Sequence, residues 1–252
     1  HLTGPTGGNG HAPFYVNADA NGAIATSWFV DPDDSLGAKF VLSGKGTASG
    51  AVAEWIFTDA GSTSLVVSEA YGAGGNSGAI FTSDYIQIFN RSATAQSLNG
   101  KSLQYASATG TGNFGVTNQI TILPNVTLQP GQYYLVKEAS GATGTALATV
   151  DLTPTAPISM AAGAGKVALV DSAVTLGCNG NSTPCSAAQR ALIIDLVGYG
   201  NANFFEGSAA APTIAATTAA RRKGNGCTDT DDNAADFAGL LEPAAYQASA
   251  DA

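Results

Sequence analysis

Apolar and polar residues alternate with a period of two along most of this chain. In Asp84-Tyr85-Ile86-Gln87-Ile88-Phe89-Asn90, Ile86 and Ile88 fall on one side of an extended backbone, and Tyr85, Gln87 and Phe89 on the other. That spacing predicts a strand. Similar runs recur at 64–69 (SLVVSE), 102–105, 119–123, 132–137 (QYYLVK), 166–171 (KVALVD) and 191–197 (ALIIDLV), separated by Gly, Pro, Asn and Ser turns. Short strands at this spacing predict an all-β fold, an antiparallel sandwich or barrel. Pro130-Gly131 reads as a turn delivering the chain into the strand at 132. No segment carries a convincing helical stripe; the best candidate, the alanine-rich stretch 242–250, reads as frayed or extended.

The first 60 or so residues form a separate block. Runs at 14–17, 23–30, 39–44 and 51–58 read as four strands, with Asp/Asn/Gly turns at 19–22 and 31–37. Four strands are too few to close a sandwich, and a partial sheet leaves an edge of N–H and C=O groups that invites pairing. Either strands preceding His1 in a longer precursor complete it, or another segment does. The expected division is a partial β block over 1–61 and a β-sandwich over 62–252.

Composition narrows the function classes. Of 252 residues, 12% are charged and 44% hydrophobic, the latter raised by alanine and not by Leu, Ile or Phe, which excludes a coiled coil and a disordered polyelectrolyte. No apolar run approaches the roughly 18 residues of a membrane span, and no charged-then-apolar leader follows His1. The net charge of −9 argues against a nucleic-acid groove, which needs clustered Lys and Arg to displace counterions. Arg221-Arg222-Lys223 is the one basic cluster; it reads as a solvated loop, with a phosphate contact as the alternative. Low lysine with abundant Thr, Ser, Asn and Gly is a habit of secreted bacterial β proteins and points to the cell exterior.

Three cysteines are present. Cys178 and Cys185 lie in GCNGNSTPCS, a loop able to bend enough for a disulfide; without further Cys or a nearby His the pair is poor zinc spacing. Cys227 is left over as a buried thiol, a reactive thiol or a link to another chain. Catalysis of the hydrolytic kind usually needs a positioned histidine, and only His1 and His11 exist, in a glycine-rich arm that pre-orders no side chain. The same two could clasp copper through imidazole and the terminal amine, a weaker reading than a start set by processing. In Asp229-Thr230-Asp231-Asp232-Asn233-Ala234-Ala235-Asp236, the side chains of Asp229, Asp231, Asn233 and Asp236 offer oxygen ligands as calcium loops do. The segment lacks the sharp-turn glycine and terminal Glu of such loops, so a solvated turn held by Asx hydrogen bonds competes with structural calcium. The glycine-rich 71–78 is followed by a strand and not a helix, which makes it a connector and not a phosphate cradle. Glu69, Asp84, Asp195 and Glu206 lie on or beside strands, with no spacing that pairs two of them. Asn-X-Ser/Thr sites at Asn90, Asn125 and Asn181 are assigned no function.

Two stretches of the chain carry family resemblances. ADANGAIATSWFVDPDDSLGAKFVLSGKGTASGAVAEWIFTDAG, residues 18–61, resembles the latter half of an immunoglobulin-like repeat of large bacterial surface proteins. LVVSEAYGAGGNSGAIFTSDYIQIFNRS, LQPGQYYLVKEA, GKVALVDS, IIDLVGYGNANFFEGS and NGCTDTDDNAADF resemble, in that order, the lamin tail domain in its bacterial secreted form. The resemblance implies an immunoglobulin-like β-sandwich used as a binding or structural module, often attached to secreted nucleases, phosphatases or surface proteins, with no active site of its own. A frequent variant carries Cys where Phe204 and Phe205 stand here; if that Cys pairs with the one in NGCTDT, Cys227 has lost its partner. The expectation is therefore a non-enzymatic extracellular structural or adhesive β protein, a filament or surface-layer subunit that self-associates by strand addition or meets other cell-surface proteins. It needs no cofactor beyond structural calcium at 229–236. The rival is an accessory binding or targeting module of a secreted nuclease or glycan-active enzyme.

Overall fold

The computed structural model describes residues 15–19, 24, 39–58, 65–241 and 247–249. The chain divides into two compact units, His1–Thr63 and Ser64–Ala252. In the first, β1 (Lys39–Lys45) and β2 (Val52–Thr58) form an antiparallel hairpin with Lys39 opposite Thr58 and Lys45 opposite Val52. Gly50 takes a left-handed φ of 68° in the turn, and its N–H donates to the Gly46 carbonyl at 2.8 Å. The strand expected over 14–17 is corrected: residues 15–17 have no regular structure. Alternation makes a strand only where a neighbour takes the backbone groups, and here Tyr15 is 87% exposed. Apart from Ile24, the strand expected at 23–30 lies outside the described residues, as do His1 and His11.

The second unit runs β3 (Leu65–Tyr71), β4 (Ser83–Asn90), β5 (Gln96–Ser97), β6 (Ser102–Ser107), β7 (Ile120–Ile122), β8 (Thr127–Leu128), β9 (Tyr133–Ser140), β10 (Gly165–Val170), α1 (Ala187–Arg190), β11 (Ile193–Tyr199), β12 (Thr218–Arg222), α2 (Asn233–Asp236) and β13 (Phe237–Leu241). Five strands form one sheet in the order β13-β12-β3-β4-β9, four form another in the order β11-β10-β6-β7, and β5-β8 is a small ribbon. All these ladders are antiparallel. Alternate residues meet between the two larger sheets: Ile86 and Ile88 of β4, Tyr134 and Val136 of β9, Leu103 and Tyr105 of β6, Val167 and Leu169 of β10, Val197 and Tyr199 of β11. The fold is the expected immunoglobulin-like β-sandwich. A bulge between Val67 and Glu69 keeps Leu65, Val67 and Ala70 in this core although SLVVSEA does not alternate strictly.

The outer face of the four-stranded sheet is buried as well. Ala106, Phe114, Ala168, Val170, Leu176 and Leu196 form a second core with the Cys178–Cys185 disulfide, whose Cα atoms lie 5.1 Å apart. Polar side chains on this face are buried because the covering segment supplies partners. Lys166 Nζ donates to the Asn179 carbonyl and to Asn203 Oδ1, both at 2.9 Å. The Gln104 amide takes the Leu176 N–H at 2.9 Å and donates to the Val174 carbonyl at 3.0 Å. Burial lowers the Lys166 ammonium from its ordinary range. Because the disulfide holds this cover closed, replacing both cysteines by serine is expected to cost about 2–3 kcal/mol by the loop-entropy estimate. That corresponds to a melting temperature lower by about 5–10 °C in a unit of this size, and a calorimetric scan checks it.

The β3–β4 connector is glycine-rich for a steric reason. A Cβ on Gly75, whose φ is +74°, would lie 2.1 Å from Gly141 Cα, so two backbones cross where no side chain fits. Asn90 is fully buried, its amide donating to the Thr94 and Leu128 carbonyls, which removes it as a glycosylation acceptor. Among the described residues no helix is long and apolar enough to cross a membrane.

Candidate functional site

The most concentrated chemistry lies where the end of β12 faces β11. The expectation of a solvated basic loop at 221–223 is corrected here. Arg222 closes β12 and is 1% exposed, because β12 is an interior strand between β3 and β13. Arg221, on the opposite face, stands 3.9 Å from Glu69, and Lys223 reaches the Ala235 carbonyl from the surface.

The Arg222 guanidinium is surrounded by acceptors. Its Nη2 donates to both oxygens of Asp195, at 2.7 and 2.8 Å. Nη1 donates to Asp229 Oδ1 at 2.9 Å and to Asp236 Oδ2 at 3.3 Å, and Nε to the Val67 carbonyl at 3.2 Å. The planar group lies 4.6 Å over the Phe237 ring. Asp195 Oδ2 also accepts the Val67 N–H at 2.5 Å, so both backbone groups of Val67 at the bulge are taken by side chains. Asp195 belongs to the four-stranded sheet and Arg222 to the five-stranded one, which makes their pair a bridge across the sandwich.

The four residues expected to share a cation do not converge on one point. Asp229 takes Arg222 on one oxygen and Arg91 Nη1 on the other, at 3.4 Å. Asp236 accepts the Thr230 N–H at 2.9 Å and hydroxyl at 2.7 Å, closing the turn. Asn233 points to β11 instead: its Oδ1 accepts the Gly198 N–H and its Nδ2 donates to the Leu196 carbonyl, both at 2.8 Å. Asp231 is exposed at a left-handed φ of 54°. The Asx-capped turn is present at Asp232, which accepts the N–H groups of Ala234 and Ala235 at the start of α2. A different acidic trio, Asp195, Glu206 and Asp229, brings carboxylate oxygens within 4.8 Å of one another. Arg222 already neutralises two of its members, so the donor set is filled by a guanidinium and a divalent ion would have to displace it. Burial, then the charges of Asp195 and Asp229, hold the Glu206 carboxyl well above the usual carboxylate range.

Three more acids are buried as fasteners. Glu138 accepts the Thr121 hydroxyl at 2.8 Å and the Ile158 N–H at 2.7 Å, joining β9 to β7 across the sandwich, and burial pushes it up to about 8. Asp84 accepts the N–H groups of Gly74 at 2.8 Å and Met160 at 2.9 Å and is pushed by burial up to about 7. Glu69 accepts the Tyr85 hydroxyl at 2.5 Å and, again by burial, is raised to about 7. Cys227 is a free, exposed thiol.

Sequence reasoning missed the convergence because its members lie far apart in the chain. One signal was available: Asp195 shares its strand face with Val197 and Tyr199, so a charge sat at a core position of ALIIDLV and required a buried partner.

The lamin tail domain family model matches residues 58–201, from the end of β2 to just past β11. Among solved structures, the chain is similar to the crystal structure of a DUF4876 family protein from Bacteroides thetaiotaomicron. The two share 12% identity and a TM-score of 0.42 over 78% of this chain and 76% of that one. No curated protein matches the chain.

Proposed function

The chain belongs to the lamin tail domain family, and from that premise we propose that it is a non-enzymatic, extracellular structural β protein, a filament or surface-layer subunit that self-associates by strand addition. The disulfide supports an oxidising compartment outside the cytosol. The buried charges support a structural role, since Arg222, Glu138 and Asp84 each spend their hydrogen bonds on tying segments of the sandwich together.

The observation that carries the assembly reading is the two-stranded hairpin of the first unit, which among the described residues pairs with no further strand, set against two edges of the sandwich, β9 and β11, that are covered. In the sandwich, β9 is covered on its outer side, with Lys137 N–H donating to the Leu152 carbonyl and Ala139 N–H to that of Ile158, both at 2.9 Å. The outer side of β11 is covered by side chains: Asn233 takes Gly198 and Leu196, and Glu206 Oε1 accepts the Leu196 N–H at 3.1 Å. In the first unit, among the described residues, β1 and β2 pair only with each other. A two-stranded hairpin is marginal alone, and a third strand from a neighbour stabilises it. Size-exclusion chromatography with light scattering and negative-stain imaging over a concentration series test this: the expected result is mass rising with concentration into head-to-tail chains. A well-folded protein that stays strictly monomeric at high concentration counts against it.

A further inference from the structure

The outer face of the five-stranded sheet carries a groove already filled by a short peptide, the chain's own residues 247–249. Ala248 is fully buried against Tyr71, Tyr85, Leu135 and Ala219. On either side of it the backbone is read by two side chains. Gln87 Oε1 accepts the Gln247 N–H at 2.7 Å; Asp151 Oδ2 accepts the Ser249 N–H at 2.9 Å, and its Oδ1 takes the Ser249 hydroxyl. Backbone donors at alternate residues with one small side chain seated between them is the way an extended peptide is recognised.

Both acceptors are set by the sandwich and not by the tail. Gln87 Nε2 donates to Ser68 Oγ at 2.8 Å, which fixes which end of the amide faces the groove. Asp151 Oδ2 also accepts the Leu135 N–H at 2.7 Å, and the Asp151 N–H returns to the Leu135 carbonyl at 2.9 Å. The groove is therefore preorganised, and any chain end of the same sequence meets the same contacts. Only five residues, 242–246, connect β13 to the groove, and Pro243 is among them. A short proline-containing connection limits the ways the tail can fold back, the circumstance in which an identical segment from another molecule competes with the resident one.

We propose that this groove is a docking site for the tail of a second copy: residues 247–249 fill it in cis and exchange into a neighbour's groove. The exchange is independent of the β1–β2 hairpin, because the groove and the tail that fills it both belong to the second unit.

The test uses the full chain with Ala248→Asp, which places a carboxylate among Tyr71, Tyr85 and Leu135 and so expels the resident tail. A fluorescent peptide spanning residues 242–252, EPAAYQASADA, is the probe. Anisotropy is expected to show it binding the variant at least tenfold more tightly than the wild-type chain, whose groove is filled, while the same peptide carrying Ala248→Asp does not bind. Gln247→Pro, which removes the N–H given to Gln87 and buries no charge, is the second variant and is expected to bind the probe more tightly than wild type. A folded variant that binds the probe no better than wild type, or binds both peptides alike, overturns the proposal. Wild-type chain concentrated and then diluted is expected to retain a dimer fraction that excess peptide removes, and a complete return to monomer overturns the exchange. Sensitivity to the peptide separates this dimer from assembly through β1–β2, which the peptide leaves intact.

Discussion

Replacing Arg222 by methionine is expected to destabilise the sandwich severely. Methionine keeps the volume against Phe237 but leaves Asp195, Asp229 and Asp236 without the cation they share. Breaking a buried pair in this way costs about 3–5 kcal/mol, because the remaining charge stays desolvated. For a unit of this size that is a fall in melting temperature on the order of 10 °C or more. Arg221→Met is the control, since its nearest carboxylate, Glu69, is 3.9 Å away and its side chain is 24% exposed; a loss below about 1 kcal/mol is expected there. Adding Asp195→Asn to Arg222→Met should recover part of the loss, and the double-mutant cycle gives the coupling directly. Acid should help the Arg222 variant as well. Burial raises the Asp195 carboxyl above its ordinary range even beside Arg222, so in the variant the contribution of its protonated form is present at low pH and lost as pH rises. Equal losses at positions 221 and 222 would show that the Asp195–Arg222 bridge does not hold the sheets together.

The parts of the fold that were legible in the sequence are those where one residue's environment depends on its immediate neighbours. Ile86 and Ile88 alternate with Tyr85, Gln87 and Phe89, and β4 follows; a Gly/Asn/Pro loop between Cys178 and Cys185 bends, and the disulfide follows. Alternation misleads on one point even there: it implies a wet face for Tyr85, Gln87 and Phe89, whereas all three are buried. The tail seals this face near Tyr85 and Gln87, and the turn Gly224–Gly226 approaches Phe89. β12 was invisible because TAARR has little intrinsic strand preference; it exists through its ladders to β3 and β13.

The same distinction between local and distant partners governs the site. A run of two arginines and a lysine is solvated when nothing covers it, and no local pattern signals that Arg222 meets Asp195, 27 residues earlier, across the sandwich. The calcium spacing in 229–236 was a pattern of local oxygens, of which the fold spends Asp229 and Asp236 on Arg222 and Asn233 on the edge of β11. The family match ends at residue 201, so Val67 and Asp195 fall within it while Arg222, Asp229 and Asp236 lie beyond.

Glu138→Gln is expected to stabilise the protein, and by an amount that grows with pH. Burial raises this carboxyl from 4.5 to about 8, so in the folded chain it keeps its proton where the unfolded chain has released it. A group raised in this sense contributes stability that is whole below about pH 4.5 and is lost as pH rises toward about 8. Glutamine has nothing to lose over that interval. Its amide reproduces the bonds of the protonated acid: the oxygen accepts from Ile158 N–H, and the NH2 donates to the Thr121 hydroxyl, which turns from donor to acceptor. Variant and wild type should therefore match near pH 4 and diverge above it by at most about 1.4 kcal/mol per pH unit, levelling off near pH 8. Urea titrations at intervals from pH 4 to 9 read the divergence, and parallel curves would show that folding does not raise the Glu138 carboxyl. The Thr121–Glu138 tie thus holds best when its acid is protonated, and burial raises the Asp195 carboxyl of the other cross-sheet tie in the same sense.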